Sequence, residues 1–227
     1  MLPAIGGEIL IDKPLRWTSY DVIRFVRPFF PAYKIGHTGT LDPLATGLLI
    51  LCVGKATKFV SFFQQLPKEY EAVIKLGATT ATDDREAPEE IHAVVDHIDR
   101  KQLEDVLQQF VGKILQIPPA YSAIKQGGKR SYRRVRQGEK VELDPREVEI
   151  YAIDILEVTP PLVHLRVRCG KGVYIRSLAR DIGSAMGTGG YLYQLRRTAI
   201  GPYRVAMALS PEELAQRVGK TVQVPSE

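Results

Sequence analysis

One carboxylate in this chain has a setting that could do chemistry. From Gly36 to Pro43 the sequence runs GHTGTLDP, a loop of glycine and threonine around His37 that ends in Asp42 followed directly by proline. Such a loop either cradles phosphate or presents a reactive group. A nucleotide-binding phosphate loop needs a Gly-Lys-Ser/Thr ending that opens a helix, whereas these glycines lead into Leu-Asp-Pro. Presentation of a carboxylate fits better, because Pro43 confines the backbone of Asp42 to extended conformations and so restricts where its side chain points. An Asp-Pro pair on its own is usually no more than a turn. The residues alone therefore give an aspartate on a rigidly supported loop.

A second group of residues concentrates charge. Between Lys125 and Lys140 stand seven basic residues, Lys125, Lys129, Arg130, Arg133, Arg134, Arg136 and Lys140, against the single acid Glu139. That is +6 locally against +5 for the whole chain, so the remainder carries +5 minus 6, or −1. With Tyr132 and three glycines in the same stretch, the composition suits a loop that tracks phosphates, the plainer alternative being a solvated basic helix face. His37, His92, His97 and His164 have no spacing that pairs them with each other or with cysteine, so no metal site is expected. Cys52 and Cys169 lie in apolar runs and read as buried, reduced thiols. No run of 18 apolar residues and no signal-like start is present, which reads as a soluble, cytoplasmic protein.

The elements that must position these residues follow from periodicity. GEILIDKP opens as a short strand, and Thr18 or Ser19 then caps a helix whose Val22, Ile23, Val26 and Phe29 recur at helical spacing. Leu44 to Val53, ending LLILCV, reads as a buried strand, so Asp42 is set between a loop and a core element. Tyr70 to Leu76 has strand composition, and Thr79 to Glu90 reads as a surface loop whose acids only solvate. Asp99 caps a helix with the stripe Leu103, Val106, Leu107 and Phe110. Strands over 148–158 and 162–169 turn at Pro160 and Pro161, as a hairpin. Gly170 to Gly172 leads into a helix with Ile175, Leu178, Ala179 and Ile182 on one face and Arg176 off it. Ser210, Pro211 and Glu213 have capping-box spacing. With no repeat, linker or regular βαβ alternation, the expectation is one α+β domain with a mixed, largely antiparallel central sheet and flanking helices.

GHTGTLDPLATGLL at 36–49 resembles the signature loop of the TruB family of tRNA pseudouridine synthases, and further segments match in the same order: IDKP at 11–14, KEY at 68–70, IPPAYSAIK at 117–125, GKGVYIRSLARDIG at 170–183 and YLYQLRRTAIGPY at 191–203. The resemblance implies a pseudouridine synthase fold and a cofactor-free isomerisation in which a uridine glycosidic bond is cleaved, the base is turned and a carbon–carbon bond is made. It implies that Asp42 is the catalytic carboxylate, that Arg176 is its partner, and that Tyr70, in a KxY pattern with Lys68, stacks on the uracil. Tyr174 and Leu195 would line the pocket, His37 would occupy the space the base leaves, and Lys13 would support the site. The T-loop uridine at position 55 of tRNA would be the target, flipped out at roughly a few kcal/mol, with Lys125, Lys129, Arg130, Arg133 and Arg134 clamping the RNA backbone. Family members commonly carry a further C-terminal PUA-like RNA-binding module, and here the chain departs from them, ending about two dozen residues beyond the last shared motif. The expectation is a single catalytic domain over 1–227 with a basic insertion near 125–140 and no such module, acting as a monomer without an obligatory protein partner. A non-catalytic tRNA folding chaperone and a guide-RNA-directed synthase subunit are the alternatives.

Overall fold

The computed structural model describes residues 7–122 and 143–219, together with residues 131, 134 and 139 and the backbone of 125–126 and 129–130. Its residues gather into two compact units. One comprises the chain up to Tyr70 with the chain from Leu195 onward, and the other is Glu71–Gln194.

The first unit is built on β3 (Ala45–Val53), the strand read from the apolar run. Its side chains alternate between two buried layers, as a period of two requires. Leu49, Leu51 and Val53 join Ile9, Ile11, Val22, Ile23 and Val26 on one face, while Leu48, Ile50 and Cys52 join Phe63 and Ile200 on the other. β1 (Glu8–Lys13) pairs antiparallel with β3 from Glu8↔Cys52 to Lys13↔Gly47, and β2 (Ile35–His37) pairs antiparallel with its far end. β12 (Gly190–Ile200) enters this unit at Leu195 and runs parallel to β3, with Leu195 opposite Ala45 and Arg197 opposite Gly47. β12 also carries the short β13 (Tyr203–Arg204) and neighbours β4 (Lys68–Leu76). Three helices flank these strands: α1 (Ser19–Val26), α2 (Val60–Gln65) and α5 (Pro211–Arg217). Thr18, not Ser19, is the N-cap of α1, in a capping box with Asp21, and α5 carries the predicted Ser210–Glu213 box. Each box satisfies amides that the helix itself leaves unbonded, worth about 1 kcal/mol.

The second unit orders its main strands β4, β11 (Leu162–Cys169), β10 (Arg146–Thr159) and β7 (Gly112–Gln116). β10 and β11 form the hairpin expected at Pro160 and Pro161. α3 (Arg100–Gln108) is capped by Asp99 and buries Leu103, Val106 and Leu107, while Phe110 lies beyond its end. α4 (Ile175–Ala185) buries Ile175, Leu178, Ala179 and Ile182 as its pattern predicts. It also approaches the start of β12 so closely that a Cβ on Gly183 would lie 2.2 Å from the Gly190 nitrogen, which only glycine permits. The fold is thus the expected mixed sheet with flanking helices, and its described registers are antiparallel except that of β12 with β3.

One expectation needs correction. Residues 79–90 are not one solvated loop: β5 (Ala78–Thr80) and β6 (Glu89–Ile91) pair as a ribbon, and between them Thr82 and Asp84 are buried. Arg176, off the apolar face of α4, is nevertheless buried as well. In the basic segment, β8 (Lys125–Gln126) and β9 (Lys129–Arg130) pair antiparallel, and Arg134 meets Glu139 at 2.6 Å. The side chains of Lys125, Lys129 and Arg130 and the whole of Arg133, and with them the reading of a phosphate-tracking loop, lie outside the described residues. Among the described residues no helix is long and apolar enough to cross a membrane, and no group of three or more His, Cys, Asp or Glu could hold a metal ion. Cys52 and Cys169 are buried and joined in no disulfide, and burial pushes the Cys52 thiol up to about 11.

Candidate active site

Asp42 lies in the connection 38–44 between β2 and β3, and the backbone on both sides of it is locked from neighbouring elements. The Thr38 amide donates to the Ile50 carbonyl (3.1 Å), prolonging the β2–β3 pairing into the loop. Ser19, the first residue of α1, accepts from the Leu41 amide at 2.9 Å and donates to its carbonyl at 3.2 Å. Pro43 accepts at its carbonyl from the Arg16 amide (2.7 Å), and the Asp42 carbonyl accepts from the Ala45 amide (3.0 Å). Leu41 is buried in the core beside this, so the half-buried Asp42 stands between an apolar anchor and a proline, both held through their main chain.

Two buried cations serve the same loop. Lys13, at the end of β1, has 0 % of its surface exposed and donates to the carbonyls of Trp17 (2.6 Å), Pro14 (2.9 Å) and Pro43 (3.4 Å). Burial pulls its pKa from 10.5 down to about 8, with Asp42 opposing that fall and Arg197 adding to it. Arg197, on β12, donates to the Leu48 carbonyl at 2.7 Å and the Gly39 carbonyl at 3.2 Å. Its backbone passes so close to β3 that a Cβ on Gly47 (φ +102°) would sit 2.3 Å from the Arg197 carbonyl oxygen. His37, at the end of β2, has its pKa held below 6.5 by burial first and by Arg197 second, so its ring is neutral at physiological pH. Leu195 stands in register with Ala45, where the loop rejoins β3, and Tyr70 is buried on β4. Lys68 turns elsewhere, donating to the carbonyls of Gln64 and Leu66 at the C-terminal end of α2, where a cation also suits the helix dipole.

In the second unit, Arg176 is fixed from three directions. Its guanidinium donates to the carbonyls of Thr82 (3.1 Å) and Tyr121 (2.9 Å) and lies 3.8 Å from the Asp84 carboxylate. Asp84 accepts from the Thr82 hydroxyl (2.6 Å) and the Glu86 amide (2.9 Å). One turn further along α4, Arg180 meets Asp83 at 2.9 Å and donates to the Ile117 carbonyl. Burial raises the Asp83 pKa, against the opposing pull of Arg180 and Arg176. Tyr174, the N-cap residue of α4, exchanges hydrogen bonds with the buried Gln116 amide, Tyr174 N to Oε1 at 2.8 Å and Nε2 to the Tyr174 carbonyl at 3.1 Å. This pair sets the start of the helix and hence the reach of Arg176.

Sequence reasoning missed Ser19, Gln116, Asp84 and Arg197. Ser19 and Gln116 act through the main chain of distant residues, which no local pattern encodes. Asp84 looked like one of several loop acids. The pair Arg196–Arg197 did carry a signal: in a strand two adjacent residues face opposite ways, so one of two consecutive arginines had to point inward. Arg196 takes the other side, gripping both oxygens of Asp12 at 3.0 and 2.6 Å.

The mixed sheet with flanking helices is the fold of the pseudouridine synthases. The chain aligns with a solved chain of a Cbf5-Nop10-Gar1 complex at TM-score 0.73 and 30% identity, covering 93% of this chain and 54% of that one. Residues 27–175 match the family described as TruB family pseudouridylate synthase (N terminal domain), and residues 176–223 match the tRNA pseudouridylate synthase B C-terminal domain. The chain belongs to the TruB family of pseudouridylate synthases. It is 49% identical over 219 residues to tRNA pseudouridine synthase B of Parabacteroides distasonis, covering 92% of each chain. To the protein of that name from Dechloromonas aromatica it is 50% identical over 210 residues, covering 92% of this chain and 70% of that one.

Proposed function

We propose that this chain isomerises a uridine of tRNA to pseudouridine, that the target is the T-loop uridine at position 55, and that Asp42 is the reacting carboxylate. The N1–C1′ bond breaks, the uracil turns within the site, a C5–C1′ bond forms, and the C5 proton leaves to solvent as N1 takes one up. Product and substrate therefore have the same composition. Asp42 either attacks the ribose as a nucleophile or removes a proton from it as the base departs. The observation that carries the reading is the loop itself: a carboxylate between main-chain anchors, with two buried cations serving the same backbone, is placed before substrate arrives.

The other roles rest on the family resemblance. Arg176, whose guanidinium is oriented by Thr82, Tyr121 and Asp84, supplies the counter-charge of the reacting carboxylate. Tyr70 stacks on the uracil and takes part in the C5 proton transfer, and Tyr174 and Leu195 bound the pocket. His37, with its ring neutral, fills the stack that the flipped base vacates. Lys13 supports the loop, and Lys125, Lys129, Arg130, Arg133 and Arg134 hold the RNA backbone. The protein works in the cytoplasm as a monomer, without metal, cofactor or obligatory partner.

The test is release of tritium from carbon-5-labelled uridine in an unmodified T-loop transcript by the purified chain, compared with Asp42→Asn. Release by the parent and none by the variant supports the reading. Silence from both favours a second one, a synthase active only within an assembly, which the likeness to a chain solved with two partner proteins keeps in play. The greater identity to tRNA pseudouridine synthase B favours the first.

A further inference from the structure

Arg197 is the largest fully buried side chain among the described residues, and its guanidinium donates to main-chain carbonyls. A buried cation is costly unless something requires it. The guanidinium is satisfied by main-chain carbonyls, and its two recipients lie on either side of Asp42 in sequence: Gly39 at the entry of the loop and Leu48 on β3 beyond its exit. A neutral side chain of similar volume would fill the space on β12 equally well, but it could not brace both carbonyls. The planar fork of arginine reaches two acceptors in a fixed geometry, which a lysine ammonium does not reproduce. Gly47 completes the device. With no Cβ there, β12 comes against β3 closely enough for Arg197 to reach across it.

We propose that Arg197 is a positioning residue for the synthase reaction: from β12 it ties both ends of the Asp42 loop together, so that the carboxylate is held where the reacting ribose will be. The inference rests on the reading of Asp42 as the reacting group. Ser19 and Lys13 fix the residues next to Asp42, and Arg197 fixes the ends of the segment. A loop held only at its middle can tilt, and displacement of a reacting group by about 1 Å costs up to about a hundredfold in rate.

The experiment uses the intact chain, Arg197→Lys and Arg197→Met, with the tritium assay run well below each variant's own melting midpoint. The expected result is a kcat reduced by at least about tenfold in both, with KM for the transcript within about twofold of the parent and the lysine variant the more active. A residue that merely stabilised the fold would leave the kcat of folded protein unchanged. The proposal is overturned if either folded variant keeps the parent's kcat, if KM rises while kcat holds, or if neither variant folds, since Arg197 would then be a residue of stability. An inert parent would instead overturn the functional reading beneath it.

Discussion

Lys13 makes a pH prediction whose sign and size both follow from its surroundings. Its folded pKa of about 8 lies below the ordinary 10.5, chiefly because burial disfavours the ammonium. The folded chain therefore binds this proton less tightly than the unfolded chain. Below about pH 8 both states are protonated and the penalty is complete, about 3 kcal/mol at 1.36 kcal/mol per pH unit. Between about 8 and 10.5 the folded state sheds the proton first, and the penalty disappears. Stability from this group thus rises with pH through that window, opposite to the trend of a lysine gaining an ion pair. Other lysines and tyrosines titrate in the same range, so the measurement is the difference in melting midpoint between parent and Lys13→Met from pH 7 to pH 10. The lost hydrogen bonds to Pro14, Trp17 and Pro43 add an offset that does not vary with pH. The pH-dependent part should move by about 2.5 kcal/mol in the parent's favour, roughly 5–10 °C for a chain of this size. A difference that stays flat over this range would refute the reasoning, and would mean that the ammonium is as well solvated in the folded protein as in the unfolded one.

Three further outcomes are expected. Asp84→Ala should lower stability by about 1–3 kcal/mol, because the buried Thr82 hydroxyl and the Glu86 amide lose their acceptor and Arg176 loses the carboxylate 3.8 Å away; a melting midpoint within about 2 °C of the parent would contradict this. Ser19→Ala should cost about 1–3 kcal/mol by leaving the buried Leu41 amide unbonded, and should reduce kcat more than KM; denaturant unfolding and steady-state kinetics read the two effects. Gly47→Ala should be worse than either, since its Cβ meets main-chain atoms of Arg197 that cannot rotate away, and circular dichroism should find it partly or wholly unfolded at 37 °C.

The sequence made legible what depends on neighbours in the chain. The apolar run of β3, the turn at Pro160 and Pro161, the α4 stripe and the Ser210 box were all visible because each is written within a dozen residues or so. Asp42 stood out for the same reason. What could not be read were the polar residues made interior by distant partners. The Thr79–Glu90 stretch is as polar as any surface loop, yet Asp84 is buried because Arg176 arrives from a helix far along the chain. Thr18 and Ser19 were equal as caps until Leu41 claimed the serine. Lys68 has the motif spacing of a site residue, while its ammonium rests on the last turn of α2, a contact set by how β4 follows that helix.

The braces on the Asp42 loop end on main-chain atoms: Ser19 on Leu41, Arg16 and Lys13 on Pro43, Arg197 on Gly39 and Leu48. Shape and spelling are therefore separate properties of this segment. The exposed Thr40 and the half-exposed Leu44 can change without removing any of these supports. A library randomised at those two positions would vary the outward side chains of this hairpin connection while leaving the anchors of its aspartate untouched.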